Sequence, residues 1–350
     1  MCKFAQTLYL AAVAFVCLCC NDNVEPQYIP ENVLNPYSDV NWESVLYLPS
    51  CSHEHGITQS AVDLLINLGV KHIALSNYYP SKPYYPLNNY FDIPEGIIAS
   101  PNAEHTNMTP FNGLHCNGLG SFFESGRPLG EDTVGMNNQE WEAAFDQILK
   151  NLQYNDGGGI TINHPQWSRW ASHSEHPSVN DICTMLDYDP RVLGIEFYNS
   201  TCEYAFEEKV GWDLDTWDAI LKTGRRCWGF SVADHRYSYS KERMSGLNIL
   251  LCEQTDEYEC LKAYREGRFY GAIHNTSLRF NKIELVERTL SVSATDSDFL
   301  YFVIDGNYTK VEGKSGTIAI PDDTIFVRIE AHNTDNSIYS NPIVFTYQDI

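Results

Sequence analysis

The chain reads as an α/β protein followed by a small all-β, sandwich-like domain. Three observations predict this. Amphipathic helical periods alternate with short apolar strands from about residue 42 to 275. From about residue 276 the helical period disappears and two-residue alternation replaces it. Histidines and carboxylates gather where the expected strands end, as they do in parallel α/β folds, whose sites lie at the carboxyl ends of the strands.

The first twenty residues predict an export signal. Lys3 supplies positive charge, Leu8–Val16 a short apolar stretch, and Cys17-Leu18-Cys19-Cys20 gives way to Asn21-Asp22-Asn23. This order resembles a bacterial lipoprotein signal, with Cys20 as the expected lipidated residue, Cys19 the alternative, and plain secretion the competing reading. Either way the protein is expected outside the cytoplasm. A lipid anchor would hold it at the periplasmic or cell-surface side of a membrane, without embedding the fold. Residues 21–41, with Pro26, Pro30 and Pro36, read as a linker.

Within 42–275, Thr58 and Ser60 can cap a helix carrying Ala61, Leu64, Leu65 and Leu68; Gly69 stops it and Lys71–Ser76 reads as a strand. The pattern repeats with Trp141, Phe145, Ile148, Leu149 and Leu152, then Gly157–Gly159 and the strand Ile160–Asn163. It returns with Leu214, Trp217, Ile220 and Leu221, then Gly224 and the strand Cys227–Val232. Val45–Leu48, Ile97–Ala99 and Val192–Tyr198 are further strands. Period alone leaves an open sheet and a closed barrel as alternatives. In 276–350, Leu290, Val292 and Ala294 share one face, as do Ile325, Val327, Ile329 and Ala331, with Arg328 and Glu330 opposite. Phe299–Ile304 and Thr317–Ile320 complete the strands. This region is poor in catalytic residue types and is expected to be structural.

Composition excludes several classes. The net charge of −23 repels phosphate backbones, so no nucleic-acid duplex is expected as partner. No run of about eighteen apolar residues follows residue 20, so no spanning helix is expected there. Seven of the eleven cysteines lie beyond the signal, scattered and without a CxxC pair, which excludes a disulfide scaffold and a cysteine-rich zinc site. They read mostly as buried apolar fillers, with one or two bridges left open. Gly229–Ala233 lacks the last glycine of a nucleophile elbow, and Gly157–Gly159 precedes a strand, not the helix of a phosphate loop. A glycosidase carboxylate pair stays open.

The chemistry sits at the strand ends. The first strand runs into Ser52-His53-Glu54-His55, Ile97–Ala99 into Asn102-Ala103-Glu104-His105, Ile160–Asn163 into His164-Pro165, and Cys227–Val232 into Asp234-His235. Val192–Tyr198 contains Glu196 and ends at Asn199. Alternate residues of an extended chain point the same way, so His53 and His55 can grip one ion. Each motif alone also fits a solvated loop; four at the ends of four strands predict a metal cluster.

These motifs, in the order His53-x-His55, Glu104, His115-Cys116-Asn117-Gly118, Asn163-His164-Pro165, Gly194–Asn199 and Asp234-His235-Arg236, resemble the PHP (polymerase and histidinol phosphatase) superfamily. The nearest branch is exported phosphoesterase-like proteins with a trailing β domain. Glu266–Tyr270, Val327–Ala331 and Ser340–Ile343 extend the likeness over about residues 42–345. The resemblance implies a distorted (β/α)7-type barrel holding one to three divalent ions, zinc, manganese or iron. Its ligands would be His53, His55, Glu104, His115, His164, Asp234 and His235, with His55, His164 and Asp234 assigned to the catalytic step. Two positions depart from the pattern. Ser76-Asn77-Tyr78 stands where the family has Asp-His, and Asp234 directly adjoins His235 where the family has Asp-x-His.

The expected reaction is hydrolysis of a phosphate mono- or diester on a small substrate, through water acidified by the ions. Arg169 and Arg236 would clamp phosphate oxygens, with Asn199 and Glu196 also on the substrate. Tyr78, Tyr79, Tyr84, Tyr85, Trp167 and Trp170 would form a rim for a sugar or nucleoside, or else pack within long loops. The rival reading is a non-catalytic surface binding protein with a degenerate metal site.

Overall fold

The computed structural model describes residues 33–345 apart from 57, 79, 126–139, 173–175, 207, 236–244 and 275–276. The expected signal, most of the linker, Tyr79 and Arg236 lie outside the described residues.

The α/β region consists, in chain order, of β1 (Leu46–Cys51), α1 (Gln59–Asn67), β2 (His72–Ile73), β3 (Ile98–Ala99), β4 (Glu104–Met108), β5 (Phe111–Leu119), α2 (Trp141–Lys150) and β6 (Gly159–Ile162). There follow α3 (Pro165–Ser172), α4 (Val179–Tyr188), β7 (Val192–Asn199), α5 (Ser200–Ala205), α6 (Leu214–Leu221), β8 (Trp228–Val232), β9 (Gly246–Cys252), α7 (Glu257–Glu266) and β10 (Phe269–Ile273). The helices expected from apolar spacing are present as α1, α2 and α6. Thr58 caps α1, its side chain accepting from the amide of Ala61, and left-handed Gly69 follows the helix.

The strands around the site form two arcs. One is the five-stranded sheet β4-β5-β6-β7-β8; the other is β3-β2-β1-β9-β10, part of a ten-stranded sheet. The expectation of a parallel sheet holds for β6-β7-β8 and for β1-β2-β3, and is corrected elsewhere. β4 and β5 pair antiparallel because the Thr109-Pro110 turn joining them is too short for a crossover. β5 runs antiparallel to β6, and β9 to β1. Among the described residues the ladders do not close into a barrel. β8 and β9 nonetheless adjoin: the amide of Ser231 donates to Asn248 Oδ1 across the seam.

The all-β region consists of β11 (Arg279–Val286), β12 (Thr289–Thr295), β13 (Phe299–Ile304), β14 (Asn307–Glu312), β15 (Ser315–Ala319), β16 (Phe326–His332), β17 (Ser337–Ser340) and β18 (Ile343–Val344). β11-β12-β15 form one sheet, whose Phe280, Leu290 and Val292 pack in one core with Phe302, Ile329 and Ala331 of the other. That other sheet is continuous with the α/β region, since β17 pairs with β10. The second face of β16 is not solvated. Arg328 is fully buried there, donating to both carboxylate oxygens of Asp218 on α6 and to Glu330. The seven cysteines among the described residues are buried and unbridged.

Candidate metal centre

His53 and His55 follow β1 after a bend at Ser52-His53, and both rings face Glu104 and Asp234. Their ring centroids lie 5.2 Å apart, edge to face. His53 is fully buried; its Nδ1 lies 2.6 Å from Glu196 Oε1, and its Nε2 faces Asp234 Oδ1 at 3.2 Å and Glu104 Oε2 at 3.5 Å. His55 Nε2 faces the same two oxygens, at 2.9 Å from Asp234 and 3.2 Å from Glu104. The other oxygen of Glu104, Oε1, lies 2.9 Å from His115 Nδ1 and 3.3 Å from His164 Nε2.

Glu104 therefore stands between two ligand groups. His53, His55, Glu104 and Asp234 offer donor atoms all within 4.8 Å of one another, and so do Glu104, His115 and His164. Each oxygen of the carboxylate faces the imidazoles of one group.

The backbone around the centre is strained. His164 and Asp234 take left-handed φ values of 29° and 50°, which cost free energy in residues with a Cβ. The strain is held by hydrogen bonds. The His164 amide donates to Glu196 Oε2 and the Asp234 amide to the carbonyl of His53. Glu196 thus lies behind the ligands rather than facing the cavity: it fixes the His53 ring and the His164 backbone together. Asn199 spans Glu196 Oε2 and Asp234 Oδ2, each at 3.0 Å. Asn163 Nδ2 donates to Glu104 Oε1 and to Asn117 Oδ1, and Asn117 is tied to the carbonyl of Ser52. Such partners orient ligands and raise their basicity.

Charge balance tests whether cations fit. Burial would neutralise Glu104, but His53 and His115 hold its carboxyl well below the ordinary range. Burial acts likewise on Asp234, where His53 and His55 hold it low. Conversely, burial would strip His53 of its proton, yet Asp234, Glu196 and Glu104 keep its pKa well above the usual imidazole value. The two carboxylates are anionic only because positive charge stands among them, whether protons or a cation. His53 Nε2 is buried without a hydrogen bond of good geometry, aimed at two carboxylates. Four such nitrogens and carboxylate oxygens in the first group and three in the second, crowded and mutually attracted, fit a divalent ion.

The remaining expected residues are placed as follows. His235 belongs to neither ligand group; its ring lines the cavity wall and its Nδ1 stands 3.8 Å from buried Glu54. Ser76 and Asn77 serve the backbone: Ser76 accepts from the Glu54 amide and Asn77 donates to the carbonyl of Gly56. Tyr78 packs its ring 4.8 Å from that of His55. Arg169 is turned away from the cavity, donating to Gln166 and Thr216. Tyr84 stacks on Tyr90, and the Tyr85 hydroxyl donates to Glu257, so neither reaches the centre.

A cavity of about 220 Å³ opens over the centre, reaching His55, Glu104, His115, His164 and Asp234. Trp167, Tyr204 and Phe206 form part of its wall. Tyr204 and Phe206 escape sequence reasoning, because α5 follows Asn199 without a loop and brings Tyr204, and Phe206 just after its end, back over the site. The only local signal is the cap, Asn199 Oδ1 accepting from the Cys202 amide.

No family model and no curated protein matches the chain. Among solved structures it is similar to a two-domain protein from Bacteroides vulgatus containing a predicted PHP-like metal-dependent phosphoesterase. The identity is 14%, the TM-score 0.43, and 89% of each chain is covered.

Proposed function

We propose that the chain is a metal-dependent phosphoesterase of the PHP type. The observation that carries this reading is the pair of ligand groups sharing Glu104 at the floor of an open cavity. His53, His55, Glu104 and Asp234 would hold one divalent ion, and Glu104, His115 and His164 a second. Divalent ions in such a site supply Lewis acidity, lowering the pKa of water and drawing charge from phosphoryl oxygens. The mixed imidazole and carboxylate donors suit zinc, manganese or iron better than magnesium or calcium.

The chain's own residues do the rest. Glu196 holds His53 in the tautomer that presents Nε2 inward, and Asn199 and Asn163 fix the faces of Asp234 and Glu104. Tyr78 and Trp167 pack against the ligand imidazoles and limit water around them. The two strand arcs are read as halves of the distorted barrel that the resemblance implies. Export, with a lipid on Cys20 or Cys19, is part of the proposal. It is supported by the order of residues 1–23, and no helix among the described residues is long and apolar enough to cross a membrane.

Elemental analysis of the purified protein, with hydrolysis of a chromogenic phosphomonoester and phosphodiester with and without added Mn²⁺, tests the reading. Two bound ions and metal-stimulated turnover are expected. Bound metal with no hydrolysis of either ester would instead favour a surface binding protein.

A further inference from the structure

Part of the cavity wall is built of rings. Trp167, on α3, lies 4.8 Å from the His164 ring and 5.0 Å from the His115 ring. Phe206 lies 6.4 Å beyond Trp167, and Trp170 packs 4.8 Å from Phe206. This makes a continuous aromatic band leading outward from the ligands of the second group. Its outer members are solvated: Phe206 is 42% exposed, Trp170 42% and neighbouring Tyr204 44%. Large apolar rings left in water, contiguous with a site, mark a surface that a ligand covers. The band begins at the metal ligands, so its occupant is whatever reaches the centre, and not a protein docking elsewhere.

Charge points the same way. Among the described residues lining the cavity there is no lysine or arginine, and Arg169 is engaged with Gln166 and Thr216. The described part of the wall is apolar and aromatic, and desolvating a second phosphate or a carboxylate against such rings is costly. A flat, uncharged ring is favoured there by stacking and by apolar burial. The cavity, at about 220 Å³, has room for a phosphoryl group and one such ring system.

We infer that the substrate is a phosphate ester carrying a flat, uncharged ring close to the phosphorus, seated on the Trp167–Phe206 band while its phosphoryl group faces the centre. The inference rests on the metal centre proposed above. An aryl group and a nucleobase share the recognised chemistry, and they differ in their distance from the phosphorus.

Calorimetry of the metal-loaded full-length protein with phenylphosphonate and methylphosphonate tests it without turnover. The two probes share a head group and differ by the ring. Phenylphosphonate is expected to bind about tenfold tighter, the scale of one aromatic stacking contact. Phe206→Ala should reduce that ratio to about twofold, and Phe206→Tyr should retain it. Both variants are checked for an unchanged melting transition, which separates loss of the ring from loss of the fold. No preference for a ring in either the phosphonate pair or the ester series below, no binding of either probe, or a preference that survives Phe206→Ala would overturn the inference.

Turnover of three methyl esters, those of methylphosphonate, phenylphosphonate and thymidine 5′-phosphate, each followed by methanol release, separates the two ring sources at a constant leaving group that carries no ring. Faster hydrolysis of the phenylphosphonate ester places the ring directly on the phosphorus; faster hydrolysis of the thymidine ester places it one sugar away. Ring-selective binding with no hydrolysis of any ester would sink the phosphoesterase reading and leave the ring pocket standing. Hydrolysis without ring selectivity would do the reverse.

Discussion

Glu104 is the residue on which the centre turns. Each of its oxygens faces a different pair of imidazoles, so Glu104→Gln removes an anion from both ligand groups at once. The expected result is loss of at least one bound ion and a fall in kcat of more than about 100-fold, beyond that typical of groups that merely orient ligands; elemental analysis beside the hydrolysis rate measures both. Proton linkage gives a second test. Burial lowers the pKa values of His53, His55 and His164, but neighbouring carboxylates outweigh it and hold all three above the usual imidazole range. Burial leaves His115 below that range, already neutral. Ligation needs neutral imidazoles, so cations must displace protons and metal affinity should rise with pH through neutrality. Calorimetric titration of the ion in two buffers of different ionisation heat should show net proton release; none would mean the imidazoles are not ligands. At this scale the sequence was informative for candidate ligands and poor for their supports. His53-x-His55 and His164 announce themselves by residue type, whereas Glu196 and Asn199 look like substrate contacts until their hydrogen bonds turn out to run to His53, His164 and Asp234.

Elements with a regular apolar period were legible: α1, α2, α6 and the strands feeding the site emerge close to their expected positions. The β4/β5 hairpin was not, because Glu104-His105-Thr106-Asn107-Met108 is polar enough to pass for a loop and gains its order from pairing with β5. That pairing decides the site, since it sets Glu104 beside His115. Close packing of elements gives the third prediction. Gly229 in β8 lies under the Trp217 ring of α6, where an added Cβ would stand 2.4 Å from a ring carbon. Gly229→Ala should push α6 from the sheet and destabilise the fold by about 1–3 kcal/mol. Denaturant unfolding measures this, and an unchanged midpoint would mean that α6 does not pack as described.

Across the whole molecule, one sheet runs from β3 at the site to β14 in the all-β region, and Arg328 locks the junction. Its guanidinium is buried between Asp218 and Glu330, over the Trp217 ring at 5.3 Å, and Trp217 stacks in turn on Phe197. Arg328→Ala would leave two carboxylates buried without their cation, at a cost of about 3–5 kcal/mol. Because the junction leads through Trp217 and Phe197 to β7, activity should fall along with the melting temperature; a stable variant with full activity would show the all-β region to be an independent appendage. The sequence by itself determined the classes of element, the strongly acidic charge and most of the candidate ligands, because residue type and local period are properties of neighbours along the chain. Tertiary structure alone decided that Glu104 is shared, that Arg169 turns away, that α5 folds aromatic rings over the site and that β10 continues into β17. Each depends on contacts between segments tens to hundreds of residues apart, whose geometry no local pattern encodes.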